Sequence, residues 1–219
     1  MTHILWDWNG TLLDDTRAAL DTLNIMLARR HGKPITMEFY RDNFAFPVKP
    51  FYRSIGVCLE NEDWDALAQE YHDTYAEQPK RLNPEALAAL EMARAGGARQ
   101  SIISALEQDL LSEITERLGV AKYMDFVYGV DNLDGFGKID RAHELLRAIR
   151  NSPSFLSPSS FVLVGDSLHD REVSDALGVG CILCAQGSHA AWRLEKVAPV
   201  AETLPEAVQM ALSWKGVRT

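Results

Sequence analysis

The sequence predicts an α/β fold, a Rossmann-like parallel sheet core with an inserted α-helical unit. Three observations carry this expectation. Short apolar runs of strand length recur along the 219 residues, and helical patterns separate most of them, which is the alternation of a mainly parallel sheet. About ninety residues lie between the first run and the second, far more than the dozen or so that a simple crossover needs.

The first strand is expected over His3–Trp8. Residues 17–82 then read as helical: Ala18, Ile25, Met26 and Leu27 lead to the breaker His31-Gly32-Lys33-Pro34, and Trp64, Leu67 and Tyr71 recur at helical spacing. The expected division is therefore a core of 1–16 and 83–219 interrupted by a helical unit over 17–82. Asn83-Pro84 supplies an N-cap and an N1 proline for a helix that Gly96-Gly97 stops. A second strand follows at Gln100–Ser104, then a helix from about Glu107 whose apolar face is Leu110, Leu111, Ile114 and Leu118, ending at Gly119. Further strands are expected at Phe126–Val130, Phe161–Val164, Gly180–Cys184 and, more weakly, Val197–Ala201. The serine- and proline-rich stretch Asn151–Ser160 reads as a surface loop.

With 47% apolar residues the chain can build a core, which excludes disorder. Twenty-two basic against 31 acidic residues give a net charge of −9, spread along the chain, so a nucleic-acid partner is not expected. The longest nearly unbroken apolar stretch, Leu177–Ala185, is about half of the ~20 residues a membrane span requires. Met1–Asp7 has neither a basic n-region nor a cleavage site, and a cytoplasmic location is expected. Of the three cysteines only Cys181 and Cys184 are close. Three apart on a strand they face opposite sides, so buried apolar thiols are expected ahead of a redox pair.

Chemistry concentrates at strand ends. The first strand runs into Asp7-Trp8-Asn9-Gly10-Thr11-Leu12-Leu13-Asp14, which places a carboxylate where open α/β sheets bind ligands. Alternation turns Trp8 to the other face, into packing. The fourth strand runs into Gly165-Asp166-Ser167-Leu168-His169-Asp170 and delivers two more acids to the same rim. Unit charges ~4 Å apart repel by about 4 kcal/mol at an effective dielectric of ~20, so three such acids call for a cation. All-oxygen ligands select a hard divalent ion, here Mg²⁺. Ser104 offers a hydroxyl, and also reads as a helix N-cap; Lys138, in Gly137-Lys138-Ile139-Asp140, offers a point charge for an anion, with Arg141 as the alternative. Together these parts describe phosphoryl transfer.

The same residues resemble the haloacid dehalogenase superfamily, whose phosphatases carry an Asp-x-Asp-Gly-Thr opening, a strand-terminal Ser or Thr, a Lys, and a closing Gly-Asp-x-x-x-Asp. All four occur here in order. The helical insertion resembles the cap of the phosphoglycolate-phosphatase-like branch. The resemblance implies Asp7 as nucleophile and Mg²⁺ ligand, the Asn9 carbonyl and Asp166 as further ligands, and Asp170 as the acid supporting the metal's waters. It implies phosphoryl contacts from Ser104, Lys138, Asn9 and Gly10, a brace for the first turn from Asp14, and an aspartyl-phosphate intermediate. The implied partner is a small phosphorylated metabolite, and the implied role of the cap is a lid.

One position departs from the pattern. The family's second aspartate, which protonates the leaving group and later activates water, is Asn9 here, and an amide does neither. General acid–base help is worth ~10²–10⁴-fold out of the far larger acceleration open to phosphate-ester hydrolysis, so its loss slows such an enzyme without abolishing it. The expected function is a phosphatase in which water, His169 or a cap residue supplies the proton, or whose leaving group needs little help. The alternatives are phosphonate cleavage or another reaction on the same scaffold, a weakly active or non-catalytic phosphate-binding module, and deamidation of Asn9-Gly10. In the insertion, Arg41, Lys49 and Arg53 are candidates for an anionic substrate, with solvated surface as the default. The aromatics Phe39, Tyr40, Phe44, Phe46, Phe51 and Tyr52 are expected to form the insertion's core or line its inner face.

Overall fold

The computed structural model describes residues 1–131, 137–152 and 160–215. Its central feature is a parallel sheet in the order β5-β4-β1-β6-β7-β8. The strands are β1 (Thr2–Trp6), β4 (Arg99–Glu107), β5 (Phe126–Val130), β6 (Ser160–Gly165), β7 (Gly180–Cys184) and β8 (Val200–Ala201). Renumbered along the sheet this is the doubly wound order 3-2-1-4-5-6, whose direction reverses at β1. β1 pairs with β4 on one side and β6 on the other, with Leu5 opposite both Ser101 and Leu163.

Both sheet faces are covered, which is why the strands read as continuous apolar runs. Ile4, Trp6, Val162, Val164 and Ile182 pack on one face against α5 (Ala86–Ala95) and α10 (Leu204–Leu212). Leu5, Ile103 and Leu163 pack on the other against α7 (Lys138–Asn151) and α8 (Leu168–Leu177). Two more helices complete the core, α6 (Gln108–Arg117) and the short α9 (Ala191–Leu194). Cys181 and Cys184 are buried free thiols on opposite faces of β7, and burial pushes the Cys181 thiol up to about 12. A reactive pair is therefore absent there.

The helical stretch comprises α1 (Thr16–Arg29), α2 (Met37–Asn43), α3 (Val48–Ser54) and α4 (Trp64–Glu77). It has a core of its own, in which Leu20, Leu23, Met26 and Leu27 of α1 meet Tyr40, Phe51, Tyr52 and Leu67. Its entry and exit are tied together by a two-residue ribbon, β2 (Leu13–Asp14) against β3 (Arg81–Leu82), with Leu13 opposite Leu82. Two-residue strands have no periodicity, so nothing in the sequence announces this ribbon. A second tie comes from Arg41, which donates to the carbonyls of Gln186 and Gly187 beyond β7.

Several boundaries differ from expectation. The Asn83-Pro84 helix begins at Ala86, because Asn83 Oδ1 accepts from the Glu85 N–H and caps a turn. β4 continues through a register shift between Ile103 and Glu107, and α6 is capped by the Glu107 carboxylate. Of the Asn151–Ser160 loop, Asn151 closes α7 and Ser160 opens β6, while residues 153–159 lie outside the described residues. No helix among the described residues is long and apolar enough to cross a membrane.

Candidate active site

β1 and β6 end side by side at the sheet's carboxyl rim, where the strand order reverses. Asp7 follows β1 and is fixed by its N–H donating to the Val164 carbonyl at 2.8 Å. Asp166 follows β6, and Asp170 lies on the first turn of α8. Oxygens of these three acids lie within 4.8 Å of one another, and all three side chains are buried.

The sequence places Asp170 through a capping box. Ser167 Oγ accepts from the Asp170 N–H, and Asp170 Oδ2 accepts from the Ser167 N–H at 3.0 Å and hydroxyl at 2.7 Å. Its other oxygen, Oδ1, accepts from Lys138 Nζ at 2.6 Å, and the same ammonium donates to Asp7 Oδ1 at 2.5 Å. Lys138 opens α7 directly after Gly137. Arg141 turns instead to the Gly129 carbonyl and Glu144, so Lys138 is the site's cation.

Glycines let the carboxylates sit this close. A Cβ on Gly187 or Gly10 would lie 2.1 or 2.2 Å from Asp166 Oδ2, and one on Gly165 would lie 2.3 Å from the Asp170 carboxyl carbon. Gly10 also has φ +75°, a conformation that glycine adopts without strain. Asp166 also accepts from the Ser188 N–H at 2.5 Å and the Thr11 hydroxyl at 3.5 Å.

Electrostatically the pocket is short of positive charge. Burial, reinforced by the Asp170 charge, pushes the Asp7 carboxyl upward against the pull of Lys138. Burial and then Asp7 push Asp166 well up. Burial acts the same way on Asp170, but Lys138 and Ser167 outweigh it and hold it low. For Lys138, burial is outweighed by Asp170 and Asp7, which keep it protonated. One lysine among three buried acids leaves room for a hard cation, and the all-carboxylate donor set and the glycine cradle fit Mg²⁺.

Other expected residues are placed differently. Asp14 pairs with Arg81 on the ribbon at 2.9 Å; the brace of the first turn is its neighbour Asp15. Asp15 Oδ1 accepts from the Gly10 N–H at 2.6 Å, and Oδ2 accepts from Asn9 Nδ2 at 2.8 Å and the Tyr75 hydroxyl at 2.5 Å. At Asn9 and Gly10, both expected to contact the phosphoryl group, the Asn9 side-chain amide and the Gly10 N–H are thus engaged with Asp15. Ser104 is buried, and its hydroxyl accepts from the Leu106 N–H at 3.0 Å rather than capping α6. Trp8 is fully buried in the core, as alternation predicts.

Asp15, Tyr75, Thr11, Ser167 and Gly187 were not singled out from the sequence. The Ser-x-x-Asp spacing of 167–170 is a readable capping signal. Tyr71 and Tyr75 continue the helical spacing of Leu67, which reads as packing. Choosing Asp15 over Asp14 needs the turn's geometry.

Above the acids lies a cavity of about 200 Å³, walled on the core side by Asp7, Lys138, Asp166, Asp170, Ala105 and Leu106. Its opposite wall comes from the helical stretch and includes Tyr40, Phe44, Phe46, Tyr52, Trp64 and Tyr71. His169 also lines it, with its ring 5.1 Å from that of Phe46.

Residues 4–184 match the sequence pattern of the haloacid dehalogenase-like hydrolases. Among curated proteins none matches the chain. Among solved structures, a predicted phosphatase from Clostridium acetobutylicum superposes with a TM-score of 0.76 at 17% identity, covering 97% of this chain and 99% of that one. A predicted phosphoglycolate phosphatase from Haemophilus somnus gives 0.69 at 15% identity, covering 95% and 96%. Protein Tyrosine Kinase A of Mycobacterium tuberculosis gives 0.74 at 20% identity, covering 96% and 97%. At these identities the three structures share the fold. The family pattern spans the strand-end acids and Lys138 that the sheet gathers into one pocket, and on that ground the chain belongs to the haloacid dehalogenase-like hydrolase family.

Proposed function

We propose that the protein is a magnesium-dependent phosphatase of small phosphorylated metabolites, acting through a phosphoryl group carried on Asp7. One observation carries this reading: a buried strand-end carboxylate, Asp7, held 2.5 Å from a buried lysine at the floor of a cavity at the sheet's switch point.

In this reading an Asp7 oxygen attacks phosphorus, the ester P–O bond breaks, and water then hydrolyses the acyl phosphate to regenerate the carboxylate. Lys138 holds Asp7 in place and offsets the negative charge brought by the phosphoryl oxygens. Asp7, Asp166 and the Asn9 carbonyl would hold Mg²⁺, with Asp170 supporting it from Lys138 and the α8 cap. When bound, the ion supplies charge stabilisation to the transferring phosphoryl group. Ser104 would contribute its hydroxyl proton from within β4, where the strand's register shifts. Residues 17–82 serve as a cap over the cavity that excludes water, with the β2–β3 ribbon as its base.

The test is phosphate release from a panel of phosphate monoesters, with magnesium and with chelator, for wild type and Asp7→Asn. Magnesium-dependent release that vanishes in the variant supports the proposal. Release unaffected by Asp7→Asn, or release from no ester, ends it.

A further inference from the structure

Granting that reading of the site, we infer that the group esterified to phosphate is an uncharged aromatic ring, so that the substrate is an aryl phosphate rather than a phosphorylated hydroxy acid. Two independent features meet in this assignment, the wall of the cavity and the residue at position 9.

The wall opposite the acids is made of rings. Phe44, Phe46 and Tyr52 present ring surface to the cavity, and Leu23 and Val48 fill between. A flat apolar group buried there gains both area and ring–ring contact. A carboxylate there would lose its water and meet no fixed guanidinium or ammonium. The three insertion cations that were candidates for an anionic substrate are directed elsewhere: Arg41 to the Gln186 and Gly187 carbonyls, Arg53 to Glu60, and Lys49 onto the ring of Trp64 at 4.3 Å. Lys138 is the single lysine or arginine among the described residues in the wall, and Asp7 and Asp170 hold it at the phosphoryl end. His169 faces Glu172 at 3.0 Å.

Position 9 selects the same chemistry. Asn9 has no proton to give as the ester bond breaks, and its amide is tied to Asp15 and Tyr75. When Asp7 bonds to phosphorus and the P–O bond to the leaving group breaks, the electron pair goes to that oxygen. A phenolate, of conjugate acid pKa about 10, carries it and takes its proton from water afterwards. An alkoxide, whose conjugate acid lies near the ~15.7 of water, needs the proton during the step.

The experiment is calorimetric titration of the full-length protein in magnesium buffer with two non-hydrolysable ligands, benzylphosphonate and phosphonoacetate. Benzylphosphonate is expected to bind about tenfold tighter or more, and Phe46→Ala to bring the two within about threefold by weakening the benzyl compound alone. Equal, weaker or undetectable binding of benzylphosphonate overturns the inference, as does an unchanged preference in Phe46→Ala. A parallel assay compares release from phenyl phosphate and phosphoglycolate. Faster release from phosphoglycolate overturns the aryl assignment and leaves the phosphatase standing. Tight benzylphosphonate binding with no release from any ester overturns the phosphatase and leaves the aryl ligand standing.

Discussion

Asn9 donates its side-chain amide to the Asp15 carboxylate at 2.8 Å. The contact joins the residue that replaces the family's usual acid to the residue that braces the first turn, and Tyr75 of the helical insertion closes the same knot at 2.5 Å from Asp15. An aspartate at position 9 would face a carboxylate where an amide donor now sits. Two acids that close share a proton, so the introduced group would be held protonated. Asn9→Asp is therefore expected to raise kcat for alkyl phosphates about 10–100-fold and for aryl phosphates less than about threefold, because alkoxides need the proton more. An equal effect on both ester classes contradicts the leaving-group argument.

Lys138 neutralises two buried carboxylates at once. Lys138→Met would leave both unpaired, and breaking such a buried pair costs about 3–5 kcal/mol. Turnover should fall about 10²–10³-fold, the loss usual for one charge-stabilising donor. Lys138→Arg should not restore it, since a planar fork cannot replace a compact ammonium between two oxygens. Urea unfolding and kcat on the same preparations check both statements.

Gly187→Ala tests the cradle sterically. The added methyl would lie 2.1 Å from Asp166 Oδ2, a separation that forces the carboxylate to move. The backbone there is not left-handed, so the fold should persist while the magnesium concentration for half-maximal activity rises about tenfold or more. Circular dichroism and a magnesium titration read the two parts. Unchanged magnesium dependence would show that Asp166 can shift freely.

Acid sensitivity has a source away from the site. Burial lowers the His3 imidazole from 6.5 to about 4, with its ring 2.9 Å from the Ser101 hydroxyl. Between these values the unfolded chain holds a proton that the folded chain lacks, so stability rises with pH across that window. Falling from pH 6.5 to 4 should remove about 3 kcal/mol through this one group. Urea unfolding across that range is expected to show the slope in wild type and a slope smaller by that amount in His3→Gln.

The sheet was legible because buried parallel strands are written as short apolar runs, and six runs matched six strands. The site's acids were legible because Asp7 and Asp166 each follow a strand, where topology fixes their destination, and Asp170 follows within one capping turn of Asp166. Lys138 was distinguishable from Arg141 only once α7 had a defined start after Gly137. Asp15 was hidden behind Asp14, since adjacent acids in a turn differ only in direction. Tyr75 was hidden because Tyr71 and Tyr75, one helical turn apart, look like packing, and only the fold of α4 onto the first turn brings a hydroxyl to Asp15. Long-range partners of this kind leave no local pattern.

The central claim is that phosphorus passes through a covalent bond to Asp7. Quenching a reaction with a turned-over ester in magnesium and treating it with borohydride reduces any acyl phosphate to the alcohol, which peptide mass spectrometry locates. The account predicts reduction at position 7 alone, dependent on substrate. Phosphate release without reduced product there, or with it at another acid, would contradict the account.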